Sequence, residues 1–188
     1  NLCSVLINAM QERGGADVLH GVPKILYLDP GSANTAGMTK NMCRSLGINL
    51  IAHKPHNARA TGQVEKARDI IERKLEPGLK FQPVHSLDEL NALAVKWRSH
   101  FNATAVHSRH GKTRTDIWLK ITADQLKKAP SVEVCRELAV AAPELRKVTP
   151  KLRVSFRGDE FDVSTVPGVL VGEKLMITRN PWRSDVAQ

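Results

Sequence analysis

The sequence lacks the features that mark secreted and membrane proteins. Its three cysteines, Cys3, Cys43 and Cys135, are widely spaced and odd in number, and none forms a CxxC pair that would bind a metal or act as a redox couple. No apolar run approaches the roughly 18 residues of a membrane span, and the N-terminus lacks the layout of a signal peptide. We therefore expect a soluble, cytoplasmic protein with reduced thiols and no membrane partner.

Negative charge is also scarce relative to positive charge. The chain of 188 residues has 28 Lys and Arg against 19 Asp and Glu, a net charge of +9, and its pI is near 9.7. A polyanion is therefore the first partner to test. Charge alone leaves two interpretations open, a nucleic-acid-binding protein and an ordinary soluble basic protein.

The first 76 residues alternate between helical and strand patterns, which is typical of a mixed α/β fold. Gly14-Gly15, Gly47 and Pro77-Gly78 mark the predicted helix ends. The predicted elements are a helix over 2–13, a short buried strand over 24–28, a helix over 36–46, a strand over 48–52, and a third helix from about Gly62 to Leu75.

The rest of the chain changes character twice. Ser86 and Glu89 form a capping box that predicts a helix ending near Phe101-Asn102. The polar and basic residues 103–118 predict an extended arm. Two helical stretches follow in the prediction, at about 122–128 and 131–141, and from Lys147 a period of two predicts a small all-β module with a hairpin turn at Arg157-Gly158-Asp159 and a further strand over 173–178.

Asp29 and Glu65 are the candidate catalytic residues. Taken singly, an aspartate before Pro-Gly is usually a turn residue, and a glutamate early in a helix usually serves the helix dipole. The sequence around both residues is more specific than either residue alone, because it resembles the catalytic core of DDE transposases in the retroviral-integrase superfamily. The residues that carry this resemblance are Asp29, Gly31, Asn34, Gly47-Ile48, Pro55, Gly62, Val64 and Glu65.

The resemblance extends beyond the third predicted helix. The residues that follow it are similar to those of bacterial transposases, although Arg114 stands where proline is usual. The segment from Arg146 resembles the small barrel of Mu-type phage transposases. The implied fold class is α/β, a partial ribonuclease H-like (integrase catalytic core) fold followed by a small all-β barrel. The implied domains are a core over 1–120, a helical linker over 121–144 and a C-terminally incomplete barrel over 145–188.

The resemblance also implies a two-metal site for Mg²⁺ or Mn²⁺. Such ions prefer carboxylate oxygen and, in pairs, activate the attacking oxygen and stabilise the leaving oxygen of a phosphate displacement. Asp29 and Glu65 would be its ligands, and a third carboxylate is expected on a strand upstream of Asn1. Asp17 is predicted to be a surface turn residue and not a substitute, so we expect this chain alone to be inactive.

Basic residues in the loop before the third predicted helix, beside Glu65 on that helix and in the basic arm are predicted to contact DNA phosphates. Two pairs of residues leave alternatives open: His53 and His56 suit a solvated loop better than zinc, and Trp97 and Trp118 suit the core better than base stacking. The basic strand residues of the β-module fit DNA contact and a solvated face equally. The predicted DNA-binding residues are Lys54, Arg59, Lys66, Arg68, Arg109 and Lys112.

Transposition is the function that the resemblance implies. The chemistry would be metal-dependent nicking at the 3′ ends of a mobile element or phage DNA, followed by strand transfer into target DNA, and by analogy the full protein would be a homo-oligomer. One alternative is a non-catalytic DNA-binding or assembly fragment of a transposase. Another is a ribonuclease H-like nuclease acting on RNA or junctions, which would cleave without strand transfer.

Overall fold

The computed structural model describes residues 2–15, 17–28, 31, 37–52 and 58–183, with only the backbone described for 58–61 and 63. Within these residues, no helix is both long and apolar enough to span a bilayer. A 3-10 helix covers Glu76–Lys80. The α-helices are α1 (Leu2–Met10), α2 (Gly37–Ser45), α3 (Ala58–Lys74), α4 (Leu87–Thr104), α5 (Arg114–Trp118) and α6 (Val132–Leu138), and the strands are β1 (Ile25–Leu28), β2 (Asn49–Ala52), β3 (Glu144–Lys147), β4 (Arg153–Phe156), β5 (Asp159–Asp162) and β6 (Lys174–Ile177).

Strands β1 and β2 form a parallel pair in which Leu28 lies opposite Ala52. Leu26 packs against the core. The other face of β1 is open, because Ile25 is 58% exposed and Tyr27 is 49% exposed. The prediction of a buried strand was therefore wrong for one face: within the described residues, only the face towards the helices is covered.

The main core lies between α1, α2 and α6. Ile7 of α1, Met42 of α2 and Cys135 of α6 are all buried in one cluster. Side-chain bonds reinforce this packing, since Gln11 Nε2 donates to the carbonyl oxygen of Pro130 at 3.0 Å and Asn41 Nδ2 donates to that of Val140 at 3.2 Å. Part of the predicted linker thus contributes to the same core as the N-terminal helix.

Asp17 is buried, contrary to the prediction of a surface turn residue. It is 4% exposed. Its Oδ2 accepts from Arg13 Nε at 2.8 Å and from Arg98 Nη2 at 2.6 Å. The second contact spans 81 residues of sequence, so no local pattern reveals it. Asp17 therefore ties the loop after α1 to the middle of α4.

The β-module has its own small core around Val154 and Phe156, both of which are fully buried. The predicted hairpin is confirmed as the antiparallel pair β4–β5. Its two-residue turn has positive φ at both Arg157 (53°) and Gly158 (93°), the conformation that suits the twist of a tight hairpin. The last predicted strand is confirmed as β6, which pairs with β3.

Two predicted segments differ in the structure. The extended arm over 103–118 was wrong: α4 continues to Thr104, residues 107–112 form a turn, and Thr113 caps α5. The helix over 122–128 was also wrong. Instead of a helical hydrogen bond, the carbonyl oxygen of Lys127 accepts a long-range hydrogen bond from the N–H of Val22 at 2.8 Å.

The mixed α/β class is confirmed by the element order and the strand pairing. Across the described residues, the named strands pair as three separate two-stranded sheets, β1–β2, β3–β6 and β4–β5. The ribonuclease H-like core and the closed barrel therefore stay predictions.

Candidate nucleic-acid interface

The parallel pair β1–β2 places two strand ends at one edge. Because Leu28 and Ala52 are level in the register, the chain leaves both strands at the same edge of the sheet. Asp29 directly follows Leu28 in the sequence but lies outside the described residues, as does Lys54. The structure therefore describes the strand ends that lead to this candidate site, and the role of both residues stays a prediction.

Glu65 lies about two turns into α3 and is exposed. It had been predicted in the first turn of a helix opening near Gly62. The helix begins at Ala58 instead, because alanine and arginine favour helix, and an interior glycine costs only about 1 kcal/mol. Among the described residues, no three His, Cys, Asp or Glu side chains converge on a point. The chemistry of two carboxylates suits Mg²⁺ or Mn²⁺, whose preferred ligand is hard oxygen.

A groove of about 720 Å³ begins one residue beyond Glu65. One wall is a face of α3 that carries Lys66, Arg73 and Lys74, at the spacing of residues that share a helix face. The opposite wall is the end of α4, the following turn with Arg109, and the start of α5 with Arg114. The structure thus brings together two predicted DNA-binding residues, Lys66 and Arg109, that are far apart in sequence.

Among the described residues that line this groove, Asp69 is the one carboxylate. Lys66 Nζ donates to its Oδ2 at 2.7 Å, and Arg73 pairs with its Oδ1. The hydrogen bond from Lys66, with the positive charge of Arg73, holds the pKa of Asp69 below its usual value. Asp69 therefore stays ionised at neutral pH and offsets part of the positive charge of the groove.

Arg68 and Lys112 are not among the described residues that line the groove. Arg68 projects from a different part of α3, where its Nε pairs with Glu72 Oε1 at 2.7 Å and its side chain is 80% exposed. Lys112 lies in the turn after α4, where its carbonyl oxygen accepts from the N–H of His107 at 2.9 Å. Arg59 lies in the first turn of α3, and its side chain is outside the described part of the chain.

Sequence reasoning missed three lining residues, Arg73, Lys74 and Arg114. No role was predicted for Arg73 or Lys74, and Arg114 was interpreted as a departure from a family proline. Arg73 and Lys74 follow Lys66 by seven and eight residues, which is the spacing of residues on one helix face, so this part of the wall was predictable. Arg114 was not, because its position depends on the turn that folds back towards α3.

The turn that carries Arg109 is fixed by local hydrogen bonds. The backbone N–H of Arg109 donates to Nδ1 of His107 at 3.1 Å, and the ring of His107 stacks on His110 with centroids 4.7 Å apart. Thr113 and Asp116 then form a capping box for α5, with both bonds at 3.1 Å. These contacts set the backbone of the second wall.

Trp118 and several arginines of the β-module are engaged within the fold. Trp118 is half-buried, and its Nε1 donates to the carbonyl oxygen of His20 at 3.3 Å, but it lies outside both core clusters of the described residues. Most of the basic module residues with described ion pairs face a carboxylate of the same module. The pairs are Arg146 with Glu144, Arg157 with Glu144 at 3.6 Å, Arg153 with Glu160 at 3.3 Å, and Arg179 with Asp159 at 2.6 Å.

Comparison with solved structures finds a distant neighbour related to retroviral integration. It is a chain in the cryo-EM structure of the simian T-cell lymphotropic virus intasome in complex with PP2A regulatory subunit B56 gamma. The match has 26% sequence identity and a TM-score of 0.46, and it covers 57% of this chain and 38% of that chain. This chain thus spans well under half the length of its neighbour. No family model matches, and no curated protein matches.

Proposed function

We propose that this chain is part of a polynucleotidyl transferase of the DDE type that moves a DNA element. The single observation that carries the proposal is the juxtaposition of two segments. The strand that leads to Asp29 is a parallel neighbour of the strand that leads to the Glu65 helix, with their ends level. In open α/β folds, ligands bind outside the carboxyl ends of neighbouring parallel strands.

Each residue has a defined part in this proposal. Asp29 and Glu65 would hold Mg²⁺ or Mn²⁺, which when bound supplies Lewis-acid stabilisation of the phosphate displacement. Lys66 and Arg109 would orient the DNA backbone next to them, with Lys54, Arg59, Arg68 and Lys112 as outer phosphate contacts. The family pattern includes a third carboxylate, and the matched positions in these 188 residues supply two.

The reaction proposed is nicking at the 3′ ends of a mobile element or phage DNA, followed by attack of the freed 3′-hydroxyl on target DNA. The attacking oxygen forms a new phosphodiester bond, and the bond to the leaving 3′-oxygen of the target breaks. The number of phosphodiester bonds is unchanged, so strand transfer needs no external energy source. A homo-oligomer on paired DNA ends belongs to this proposal by analogy.

A nicking assay with a labelled element-end duplex tests the proposal. The full protein that contains this chain is incubated with the duplex in Mg²⁺ or Mn²⁺, beside Glu65→Gln and a matched control, Glu76→Gln, which changes the same residue type in the adjacent 3-10 helix. We expect nicking by the full protein that is lost in Glu65→Gln and retained in Glu76→Gln, and no nicking by this chain alone. Equal activity in all three chains would contradict a role for Glu65.

A second candidate function, DNA binding without catalysis, is favoured by the basic groove next to Glu65. It predicts that the chain binds DNA but does not nick it with either metal. A ribonuclease H-like nuclease would instead cleave an RNA–DNA hybrid or a junction and form no strand-transfer product. Repeating the assay with added target DNA and with an RNA–DNA hybrid or junction separates all three, because nicked, joined and uncut strands migrate differently on a denaturing gel.

A further inference from the structure

The groove between α3 and the α4–α5 turn has positive charge on both walls. Three of its cations, Lys74, Arg109 and Arg114, have no carboxylate within ion-pair distance in the described part of the chain. Lys66 and Arg73 share the single carboxylate of Asp69. The lining therefore has a clear surplus of positive charge, whereas a solvated helix face usually pairs its charges along the helix.

An aromatic floor holds two of these cations in place. The guanidinium carbon of Arg114 lies 4.6 Å from the centroid of the Phe101 ring, and Lys74 Nζ lies 5.7 Å from the same centroid. A cation over an aromatic face is attracted by the ring quadrupole but keeps its full charge. Arg114 and Lys74 are thus positioned without being neutralised, as a carboxylate partner would neutralise them.

The same floor argues against base reading. The Phe101 ring stacks on Trp97, with centroids 5.1 Å apart and planes 10° from parallel. With one aromatic neighbour and two cations around it, the ring has little free face on which a nucleobase would stack. The groups that the groove offers are therefore cationic donors, and these recognise phosphate oxygen.

The length of the basic wall suits a short stretch of backbone. From Lys66 to Lys74 the helix rises about 12 Å, at roughly 1.5 Å per residue. In B-form DNA each strand advances about 3.4 Å along the axis per phosphate, and a more extended single strand advances further, so the wall faces at most three to four phosphates of one strand. The groove is lined by α3 and by the segment from the end of α4 to the start of α5, so a single strand in it would contact cations of both segments.

We propose that this groove binds the phosphate backbone of a single DNA strand that continues from the Glu65 site, without reading its bases. The choice of DNA rests on the proposed function, while the phosphate chemistry rests on the groove itself. Lys74 and Arg114 provide the central contacts across the Phe101 floor, Lys66 and Arg109 provide flanking ones, and Asp69 sets the net charge.

The test compares two double variants that remove the same two charges. One is Lys74→Gln with Arg114→Gln in the groove. The matched control is Lys128→Gln with Arg44→Gln, which are exposed elsewhere. Binding of a short fluorescein-labelled single strand of mixed sequence is measured by fluorescence anisotropy, in EDTA and over a range of salt concentrations.

We expect the groove variant to bind about 25-fold more weakly at ~0.1 M salt and the control to bind like wild type. Each lost phosphate contact removes about 0.7 from the salt slope for a single strand, so the groove variant should lose about 1.4. Equal weakening in the two double variants would overturn the proposal, because it would show a general basic surface. A single variant, Arg109→Gln in the exposed turn, should weaken binding by about fivefold on the same reasoning, even if the double variant unfolds.

Further measurements test the choice of DNA over RNA and the recognition of backbone over bases. Tighter binding of an RNA strand of the same sequence would overturn the choice of DNA, and an affinity that changes strongly with base sequence would overturn backbone recognition. Because EDTA removes the metal, binding is independent of nicking. A groove effect without nicking in the earlier assay would contradict the proposed function alone, and nicking with equal behaviour of the two double variants would contradict the groove alone.

Discussion

The groove and the β-module are both rich in arginine and lysine, yet they differ in where their carboxylates lie. In the β-module, Glu144 and Glu160 face the basic side chains across or along the strands. In the groove, Asp69 is the one carboxylate beside five cationic side chains among the described residues. The positive charge of a segment therefore says little about anion binding until the position of each counter-charge is known.

The two regions also hold their cations differently. Arg146 and Arg157 lie over the Phe156 ring at 5.8 and 5.3 Å from its centroid, but both also pair with Glu144. Arg114 lies over Phe101 and has no such carboxylate among the described residues. An aromatic ring therefore accompanies the arginines in both places, and only the groove leaves them with uncompensated charge.

The variant with the largest expected effect on stability tests whether the groove and the β-module act independently. Phe156→Ala removes a fully buried ring from the β-module core and should destabilise the protein by about 3–5 kcal/mol. We expect the affinity of the groove for a single strand to change by less than about twofold under conditions where the chain stays folded, since distant sites act almost independently. Thermal unfolding and anisotropy would measure the two quantities.

The control for that change is Leu145→Ala in the same module. Leu145 is 58% exposed, so this truncation should alter stability by no more than about 0.5 kcal/mol. If Phe156→Ala weakened DNA binding as strongly as the groove double variant does, the β-module would share in the interface and the contrast between the regions would be lost.

The next prediction tests whether Asp69 lowers the affinity of the groove for phosphate. Asp69→Asn frees Lys66 and Arg73 for phosphate, so we expect single-strand binding to strengthen about fivefold at ~0.1 M salt, the equivalent of one further contact. Glu72→Gln is the control, because Glu72 pairs with Arg68 away from the groove. Weaker binding by Asp69→Asn, measured by anisotropy, would show that Asp69 matters by holding Lys66 and Arg73 in place.

A smaller effect concerns the cap that positions Arg114. Hydrogen bonds from the Thr113 hydroxyl and backbone hold the pKa of Asp116 below its usual value. The pKa is lowered in the folded state, so the stabilisation is fully present above about pH 3.9, the usual value for aspartate, and is lost as pH falls through the lowered folded pKa. Asp116→Asn should therefore destabilise the protein more at neutral pH than at pH values below that window.

Thr113→Ala removes the other half of the same cap and should cost about 1 kcal/mol. Urea unfolding across pH would measure both variants. Because alanine cannot accept the bond from the N–H of Asp116, this cost should persist at acid pH as well as at neutral pH. A cost that is the same at every pH for Asp116→Asn would contradict the role of the ionised carboxylate.

The smallest effect is expected in the β-module. Arg146→Gln with Arg153→Gln removes two charges that are paired with Glu144 and Glu160, and we expect binding of the single strand to weaken by less than about twofold, since paired surface charges contribute little. The groove double variant removes the same number of charges. Equal losses of affinity in the two would remove the distinction between paired and unpaired cations.

The sequence predicted the local elements well where one strong pattern applied. The Ser86 cap is present, with Ser86 Oγ accepting from the N–H of Glu89 at 3.1 Å, and the turn at Arg157-Gly158 joins the predicted strands. Gly47 ends α2 with φ +66°, and a Cβ there would lie 3.1 Å from Lys127 Nζ. These features depend on a few neighbouring residues, so their identity suffices.

The errors fell where distant residues compete with local preference. The basic composition of 103–118 predicted an extended arm, but Thr113 and Asp116 begin a helix there. Asp17 follows a Gly-Gly turn and predicted a surface position, whereas two arginines bury its carboxylate. Of the candidate site, Lys66 was predicted as a basic residue beside Glu65 and Arg109 as part of a basic arm, but nothing local indicated that both line one groove.

The amino-acid sequence alone predicted many of the helices and strands, several of their caps and turns, the positive charge, and the motif around Asp29 and Glu65. Which charges are compensated and which cations share a groove became known from the folded structure. The difference is one of range. Caps and turns are made by groups within about four residues of each other, whereas charge compensation depends on distances in space that a chain sets only after its helices have packed.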